Sequence, residues 1–486
     1  MSAAVRILDW PTEVEDDLPL ALWDAAAIAQ AVGGVASGDF QVSGVEIDSR
    51  DVVAGDLFFA LKGESMDGHR FVEAAFAKGA VAAVVDRPIE GPHVLVQDTT
   101  VALGLLARAA RARGDARVIG VTGSVGKTGV KEAIFAALDR SSRGKAHRSV
   151  KSYNNHVGVP LSLARMPARA KFGVFEMGMN HAGEIAALTA QVRPHVAVIT
   201  TIAPAHIEML GSMEAIADAK AEIFGGLEPG GVAVIPADSP YYPQLREAAL
   251  RLGAQVVSFG KAVGSAVRLL DAVAAPGGGS LVTADLGERR LCYTVSAPGE
   301  HWVANSLAVM AAVRAAGGDL GAAGLALAEM EGLKGRGART TLKTADGGSA
   351  LLIDESYNAN PASMRATLAQ LGATPATRRL AVLGAMKELG EHGPGFHAEL
   401  VDPVTAAGVD FAILVGDEMA PLADELGKAG GSALGKAVRF THCRNATEAL
   451  AALREHGVER GDAILVKGSN SVGLGKLVSA LEQNKE

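Results

Sequence analysis

The chain has 486 residues, with 46 Lys and Arg against 54 Asp and Glu, which gives a formal net charge of −8. A typical domain has about 100–200 residues, so this length predicts two to four domains. With 49% hydrophobic and 21% charged residues, the composition is that of a packed globular protein and excludes a mainly disordered chain. The acidic balance argues against broad, sequence-independent binding of nucleic acid, so we expect no nucleic-acid partner.

The number of cysteines and the hydropathy of the chain indicate in which cellular compartment the protein acts. The two cysteines, Cys292 and Cys443, are far apart in sequence and can form neither a disulfide framework nor a four-thiolate metal site. No apolar run of about 18 residues is found, so no membrane span is expected. Residues 1–17 carry several acids and lack an apolar core behind a basic head, so they do not resemble a secretory signal. We therefore expect a cytoplasmic protein. Separately, we expect it to act as a monomer.

The first block, residues 1–97, has the pattern of a small α/β domain. Residues 55–61 form a turn followed by an apolar run, and residues 80–85 form a second short apolar run; both predict strands. A polar loop and a helix-like stretch at residues 71–78 lie between them.

The second block, residues 98–330, alternates strands with helices. An amphipathic helix at residues 100–113 precedes the apolar strand at 118–121, a glycine-rich turn and a helix from Lys127. Further strands are predicted at residues 173–176, 196–200 and 231–235, and this alternation indicates a doubly wound, mostly parallel sheet. Residues 258–294 switch to short strands broken by Gly and Pro, which predicts an antiparallel appendage, and a helix at 303–316 closes the block.

The third block, residues 331–486, repeats the α/β alternation. Apolar strands are predicted at residues 351–354, 380–383, 411–415 and 463–466. The chain is thus predicted to be an α/β protein of three domains, the last of them Rossmann-like.

A glycine-rich turn carries the strongest chemical signal. It follows a strand and opens a helix, where backbone N–H groups and the helix dipole can hold phosphates. Lys127 would reach the terminal phosphates and the Thr128 hydroxyl would bind Mg²⁺. Val121 stands where the strict P-loop spacing needs Gly, so the motif is a shortened Gly-x-x-Gly-Lys-Thr, and an incidental glycine-rich turn is the alternative. The nucleotide-contacting residues predicted here are Thr122, Gly123, Ser124, Val125, Gly126, Lys127 and Thr128.

Polar residues follow other strands of the same block. Glu176 ends a buried strand at the edge where ligands bind, and is a candidate Mg²⁺ ligand or simply a helix cap. His206 follows the next strand and Lys220 lies on a helix after it; alone, each would more often be structural or solvated. His301 and Asn305 share one helix face, and the Asn305 amide could pair with adenine, although these residues alone favour an ordinary helix start with polar capping residues.

Similar clusters occur in the third block. Asp354, Tyr357 and Asn358 belong to the run Asp-Glu-Ser-Tyr-Asn-Ala-Asn-Pro after an apolar strand, which is a site candidate. Arg336 lies between two glycines, as suits a phosphate contact. The loop at residues 467–470 has the same strand-then-loop form, and each of these segments could also be an ordinary solvated loop.

The order of these motifs resembles the Mur ligase family, the ATP-dependent amide-forming enzymes of peptidoglycan assembly. The resemblance covers nearly the whole chain after about residue 20. Its carriers are Thr122–Thr128, the Tyr-Asn-Asn and Gly-Val-Pro runs at 153–155 and 158–160, Glu-Met-Gly-Met-Asn at 176–180, His206, Lys220 and the run at 354–361. The last run favours the branch that adds D-alanyl-D-alanine to a UDP-N-acetylmuramoyl-tripeptide, because related branches place a His-containing motif there.

The resemblance implies ATP with two Mg²⁺ ions. Thr128 and Glu176 would hold the first ion, and His206 with Lys220, carboxylated to a carbamate, would hold the second. Lys127, Glu176, His206 and Lys220 would then form the catalytic set. His301, Asn305, Arg336, Asp354, Tyr357 and Asn358 would contact the nucleotide. The residues expected to bind the UDP-linked substrate are Ser49, Arg50, Lys62, Asp67, His69, Asn154 and Asn155.

Two departures and two alternatives qualify this interpretation. Ala385 stands where relatives commonly carry an acid, and Asn470 where an Arg is frequent, which bears on the amino-substrate contacts. One alternative is another ligase of the same family with a different precursor, and the other is a P-loop NTPase switch without ligation. The motif run at 354–361 argues against the first, and the UDP-sugar motifs of the first block argue against the second.

Overall fold

The computed structural model describes residues 21–63, 66–275, 279–429 and 438–483. Residues 1–17, expected to carry no secretory signal, lie outside the described residues. By its internal contacts the chain divides into two compact units, Met1–Arg113 with Leu163–Ala168, and Gly114–Ser162 with Arg169–Glu486. Within the described ranges, no helix combines the length and the apolar character needed to cross a membrane.

The first unit contains a five-stranded sheet and a two-stranded ribbon. Its strands are β1 (Trp23–Asp24), β2 (Val35–Ala36), β3 (Gln41–Val42), β4 (Gly44–Glu46), β5 (Asp56–Phe59), β6 (Ala82–Val85) and β7 (His93–Leu95), and its helices are α1 (Ala25–Val32), α2 (Val72–Ala77) and α3 (Thr99–Ala112). The sheet order is β2-β7-β6-β5-β4, with β2 antiparallel to β7 and the other pairs parallel, and β1 pairs with β3. The apolar runs predicted as strands are β5 and β6, which are buried throughout, as parallel strands require.

The second unit begins with a nine-stranded sheet. Its strands are β8 (Arg117–Thr122), β9 (Ala146–Arg148), β10 (Phe172–Glu176), β11 (Val196–Ile199), β12 (Val232–Pro236), β13 (Gln255–Gly260), β14 (Val267–Ala274), β15 (Ser280–Asp285) and β16 (Arg290–Val295). The helices between residues 127 and 328 are α4 (Lys127–Ser142), α5 (Gly158–Ala164), α6 (Glu184–Val192), α7 (Ile207–Leu210), α8 (Met213–Ala221), α9 (Tyr242–Arg251), α10 (Glu300–Ala315) and α11 (Leu320–Ala328). The order is β16-β15-β14-β13-β12-β11-β8-β10-β9.

The strand β8 lies between β10 and β11 and is parallel to both. Its apolar residues Ile119 and Val121 share a buried core with Ile134 of α4 and Val309 of α10. After β8 the chain first forms β9 and β10 on one side of this strand and then β11 on its other side. The strand order therefore reverses at β8, and a crevice opens at its carboxyl end, the position where ligands bind in such sheets.

The predicted antiparallel appendage at residues 258–294 is partly wrong. The strands β14, β15 and β16 are antiparallel to one another, as expected. However, β14 pairs in parallel with β13, with Phe259 opposite Val267, so these strands extend the main sheet. The short runs broken by Gly gave no sign of this continuous edge, because strand pairing depends on partners distant in sequence.

The six-stranded sheet of residues 338–467 has the order β17-β18-β22-β19-β20-β21. Its strands are β17 (Ala338–Lys343), β18 (Ser349–Glu355), β19 (Arg378–Gly384), β20 (Phe411–Val415), β21 (Arg439–Cys443) and β22 (Asp462–Lys467). The helices of this part of the chain, which alternate with the strands after β18, are α12 (Pro361–Ala373), α13 (Gly393–Ala398), α14 (Val401–Ala406), α15 (Ala420–Ala429), α16 (Ala446–His456) and α17 (Leu474–Gln483). Among the described strands of this sheet, only β17 is antiparallel to its neighbour. The predicted strands of this block are confirmed as β18, β19, β20 and β22. The edge strands β17 and β21 are half exposed and polar, so they lack the apolar run that marks a buried strand.

Short 3₁₀ helices complete the described residues, at Gly68–Phe71, Glu222–Gly226, Gly390–His392, Asp417–Met419 and Asn470–Val472.

Candidate functional site

The turn between β8 and α4 has a backbone that only glycine accommodates. Gly123 and Gly126 have φ values of 146° and 86°. A Cβ on Gly123 would lie 2.0 Å from Thr200 Oγ1, and one on Gly126 would lie 2.9 Å from Asn305 Oδ1. The helix α4 then begins at Lys127 without a side-chain cap, so its first N–H groups remain available to an anion.

Side chains tie this turn to the segment after β11. Ser124 Oγ donates to Ala203 O at 2.8 Å, and Thr200 Oγ1 donates to Val125 O at 2.6 Å. Lys127 Nζ donates to Gly123 O at 2.6 Å across the turn. Burial lowers the pKa of Lys127, which the charge of Glu176 partly offsets. The ammonium is therefore held within the turn, where it can meet a phosphate with little rearrangement.

A buried carboxylate lies beneath the turn. Glu176 is fully buried at the end of β10, where Thr128 Oγ1 donates to its Oε2 and Asn154 Nδ2 donates to its Oε1, both at 2.8 Å. Hydroxyl and carboxylate oxygens are the ligands that Mg²⁺ prefers, so the Thr128 and Glu176 pair fits such an ion. Asn154, expected to bind substrate, holds this carboxylate and also lines the neighbouring cavity.

Lys220 and His206 lie on the cavity wall. Lys220 is 2% exposed, and its ammonium makes no hydrogen bond or ion pair with any residue that the structure describes. Burial lowers the pKa of Lys220 well below its usual range, and the charge of Lys127 adds to this effect. His206 Nδ1 lies 2.5 Å from Glu388 Oε2, a contact that lowers the pKa of Glu388.

The donor set limits which metal ions fit. Among the described residues, no group of three or more His, Cys, Asp and Glu side chains could hold a metal ion. An ammonium cannot be a ligand, so Lys220 fits a metal site only after modification. The pair of His206 and Lys220 therefore suits a second cation only in the carbamate form of Lys220.

Arg336 reaches the same cavity from the third block. Its guanidinium lies over the Tyr357 ring, 4.3 Å from the centroid, and its Nη2 donates to Ser152 Oγ at 3.1 Å. Asn358 lies on the same wall. A cation stacked on an exposed aromatic ring is well placed to contact a phosphate or a base.

Asp354, expected to contact the nucleotide, does not line the cavity. Its Oδ2 accepts from Gly335 N at 2.7 Å, and its Oδ1 accepts from Ser356 N at 3.1 Å and Ser356 Oγ at 2.6 Å. The side chain is buried and holds together the two loops that carry Arg336 and Tyr357.

Replacing Asp354 by Ala is expected to lower the free energy of unfolding by about 1–3 kcal/mol, because buried N–H groups lose their acceptors. Urea unfolding measures this loss, and Asp354→Asn, which keeps one acceptor oxygen, should lose less. Unchanged stability together with weakened ATP binding would contradict this role and restore the nucleotide contact.

Lys467 at the end of β22 received no role from the sequence. It is almost fully buried, and its Nζ donates to Asn358 O at 3.0 Å and lies 3.5 Å from Glu355 Oε2. Burial lowers the pKa of Lys467, and burial together with the charge of Lys467 lowers the pKa of His301 to about 4. His301 is therefore neutral at physiological pH. The available signal was a lysine closing a buried strand, in a loop already noted as a candidate.

Most of the side chains described above line one cavity of about 350 Å³. Its lining includes, from the predicted set, Ser124, Val125, Gly126, Lys127, Asn154, Asn155, His206, Lys220, His301, Asn305, Arg336, Tyr357 and Asn358. Thr122, Gly123, Thr128 and Glu176 lie outside this lining. Sequence reasoning missed Ser152, Glu184, Trp302, Glu355 and Lys467, which also line it. The basic side chains Lys127, Lys220, Arg336 and Lys467 face only the carboxylates Glu184 and Glu355 on this wall, as suits a polyanionic ligand.

The residues expected to bind the UDP-linked substrate lie in the first unit, apart from Asn154 and Asn155. Lys62 is ion-paired with Asp86, and Asp67 Oδ1 lies 2.6 Å from His69 Nδ1. Arg87 Nη2 donates to Asp67 Oδ2 at 2.8 Å. The His69 backbone N–H, followed by Arg87, holds the pKa of Asp67 well below its usual range.

The other two members of that set lie after β4. Arg50 pairs with Asp48 at 2.6 Å, and Ser49 beside it is half-buried. The structure thus links Lys62, Asp67 and His69 in one charged cluster, to which Asp86 and Arg87 add members that the sequence did not reveal.

Comparison with known proteins places these features in a family. Residues 41–111 match the model of the Mur ligase family catalytic domain, residues 121–313 the Mur ligase middle domain, and residues 338–470 the Mur ligase glutamate ligase domain. A UDP-N-acetylmuramoyl-tripeptide–D-alanyl-D-alanine ligase from Synechocystis sp. is 38% identical over 92% of this chain and 93% of its own length.

Two solved structures share the architecture. MurF from Acinetobacter baumannii is 30% identical, with a TM-score of 0.80 over 96% of this chain and all of that one. MurF ligase from Thermotoga maritima in complex with ADP is 26% identical, with a TM-score of 0.73 over 91% of this chain and 98% of that one. The chain belongs to the Mur ligase family.

Proposed function

We propose that this chain is an ATP-dependent ligase that joins D-alanyl-D-alanine to UDP-N-acetylmuramoyl-tripeptide and releases ADP and phosphate. The observation that carries the proposal is a basic cavity whose lining brings Lys127 of the predicted P-loop together with Arg336, Tyr357 and Lys467 of the third block. The activity for which the Synechocystis relative is named and the ADP of the Thermotoga structure support the same substrates.

The three blocks would divide the work. We assign residues 1–97 to the UDP-sugar, residues 98–330 to ATP and residues 331–486 to the amino substrate and closure over ATP. The charged cluster around Asp67 and His69 supports the first assignment, and the turn before α4 supports the second.

The chemistry follows from the substrates. A terminal carboxylate oxygen of the tripeptide attacks the γ-phosphorus, and the bond from that phosphorus to the β,γ-bridging oxygen breaks, leaving an acyl phosphate and ADP. The dipeptide amine then attacks the acyl carbon, and the tetrahedral adduct loses phosphate and a proton to give the amide. Each step concentrates negative charge, so charge neutralisation by Lys127 and exact positioning of the substrates dominate catalysis.

Cations fit two positions in this scheme. Thr128 and Glu176 would hold one Mg²⁺, and His206 with a carbamylated Lys220 would hold another; bound there, Mg²⁺ would neutralise phosphate charge. The neutral His301, Asn305 and the Arg336–Tyr357 stack would orient the nucleotide. Because an acyl phosphate hydrolyses readily, the cavity must exclude water while that intermediate exists.

Phosphate release from ATP tests the proposal. Release in the presence of Mg²⁺ should require both UDP-N-acetylmuramoyl-tripeptide and D-alanyl-D-alanine, and the product should be heavier by the dipeptide. Single amino acids in place of the dipeptide should give no product, and a product with one of them would indicate another ligase of the family. Release indifferent to both substrates would contradict ligation and favour an NTPase switch.

A further inference from the structure

Two loops from different sheets meet at one charged contact. His206 follows β11 of the nine-stranded sheet, and Glu388 follows β19 of the six-stranded sheet. His206 Nδ1 lies 2.5 Å from Glu388 Oε2, and Glu208 N donates to Glu388 O at 3.4 Å. The Nδ1 atom is shielded from solvent and makes no hydrogen bond of regular geometry with any residue that the structure describes, so its approach to the Glu388 carboxylate is a short polar contact.

Both residues have an unfavourable backbone conformation. The φ values of His206 and Glu388 are 59° and 65°, in the left-handed region that Glu rarely adopts and that His adopts more often than most residues other than Gly. Strained conformations of this kind gather at functional sites. Here the two strained residues of separate loops contact each other, which favours a selected contact over a chance surface pair.

We propose that Glu388 is a positioning residue that holds the imidazole of His206 through Nδ1 and leaves Nε2 free to bind a cation in the cavity. The inference rests on the proposed function, because it is in that reaction that His206 serves a cation. A carboxylate on one ring nitrogen fixes the tautomer and raises the basicity of the other nitrogen. Glu388 of the third block thereby completes a cation site whose other residues, His206 and Lys220, lie between strands of the nine-stranded sheet.

The chain offers closely matched variants. Glu388→Ala removes the carboxylate, and Glu388→Gly removes it while relieving the left-handed backbone, so that one variant folds without strain. Glu388→Gln keeps an acceptor oxygen. Glu391→Ala removes an exposed carboxylate from the same loop and is the control for charge.

Manganese binding with ADP, followed by electron paramagnetic resonance, gives a readout separate from turnover. In both Glu388→Ala and Glu388→Gly, we expect the affinity for Mn²⁺ at one site and kcat to fall by about 10- to 100-fold. The KM for ATP should stay within about twofold of the wild-type value. Glu388→Gln should lose less, and Glu391→Ala should match the wild type. In a His206→Ala background, Glu388→Ala should have no further effect on Mn²⁺ binding, because Glu388 acts through His206.

Unchanged Mn²⁺ affinity in both Glu388→Ala and Glu388→Gly would overturn the proposal, as would an equal loss with and without His206. Failure of the ligase assignment would appear separately, as phosphate release by the wild type that is indifferent to the two substrates.

Discussion

Lys127→Ala is expected to lower turnover by about 10³-fold or more, while the protein remains folded. The ammonium lies in the glycine turn, 2.6 Å from Gly123 O, where the terminal phosphates of ATP would lie. Removing a charge that offsets phosphate in a desolvated site costs several orders of magnitude in comparable reactions. Burial lowers the pKa of Lys127, so the folded state carries a desolvation cost that the variant no longer has.

Two measurements separate these effects. Phosphate release in the presence of both substrates reports turnover, and urea unfolding should give a free energy of unfolding equal to or above that of the wild type. Lys145→Ala, which removes an exposed ammonium beyond the same helix, is the control and should retain activity. Near-normal turnover in Lys127→Ala would refute the P-loop assignment.

Activity is also expected to depend on dissolved CO₂, through Lys220. Burial and the charge of Lys127 lower the pKa of Lys220 well below its usual range, so a larger fraction of the amine is neutral and nucleophilic. The nitrogen would attack the carbon of CO₂, one C–O π bond would become a lone pair on oxygen, and loss of a proton would leave the carbamate. The modification replaces an unpaired buried cation with oxygen ligands.

Removing CO₂ from the buffer should therefore reduce activity, and bicarbonate should restore it. Lys220→Ala should lose at least about 10²-fold in kcat and should not respond to bicarbonate. Enzyme equilibrated with ¹³C-labelled bicarbonate should show a carbamate carbon by NMR that is absent from Lys220→Ala. A further control is Lys131, which is equally buried but donates to Ser149 O and Lys151 O, so Lys131→Ala should keep the label. Activity indifferent to bicarbonate, with no labelled carbon, would contradict the carbamate.

The two sequence departures concern loops next to the cavity. Ala385 is fully buried and acts through its backbone, since Ser469 N donates to Ala385 O at 3.1 Å. Asn470 begins the short 3₁₀ helix that follows. Lys387 pairs with Glu418. The loops after β19 and β22 are thus joined by a main-chain hydrogen bond that needs no acidic side chain at position 385.

The sequence by itself determined the local features of this protein. Apolar runs predicted the buried strands β8, β10, β18 and β22, because buried strands select apolar residues. Gly123 and Gly126 predicted the turn proposed to bind phosphate, because a left-handed backbone selects glycine. The resemblance to the Mur ligase family, which rests on the order of the motifs, is confirmed by the comparisons with known proteins.

Tertiary structure decided what depends on distant partners. The polar edge strands β17 and β21 form because a neighbouring strand offers hydrogen bonds, which no local pattern records. Asp354 turns from the cavity to hold two loops, whereas Lys467, which had no predicted role, lines it. Likewise, Lys220 could be a solvated cation on its helix until packing buries it beside Lys127. Burial of charged groups and contacts between residues far apart in sequence arise only when the sheets assemble. They set the pKa values and the hydrogen bonds of these side chains.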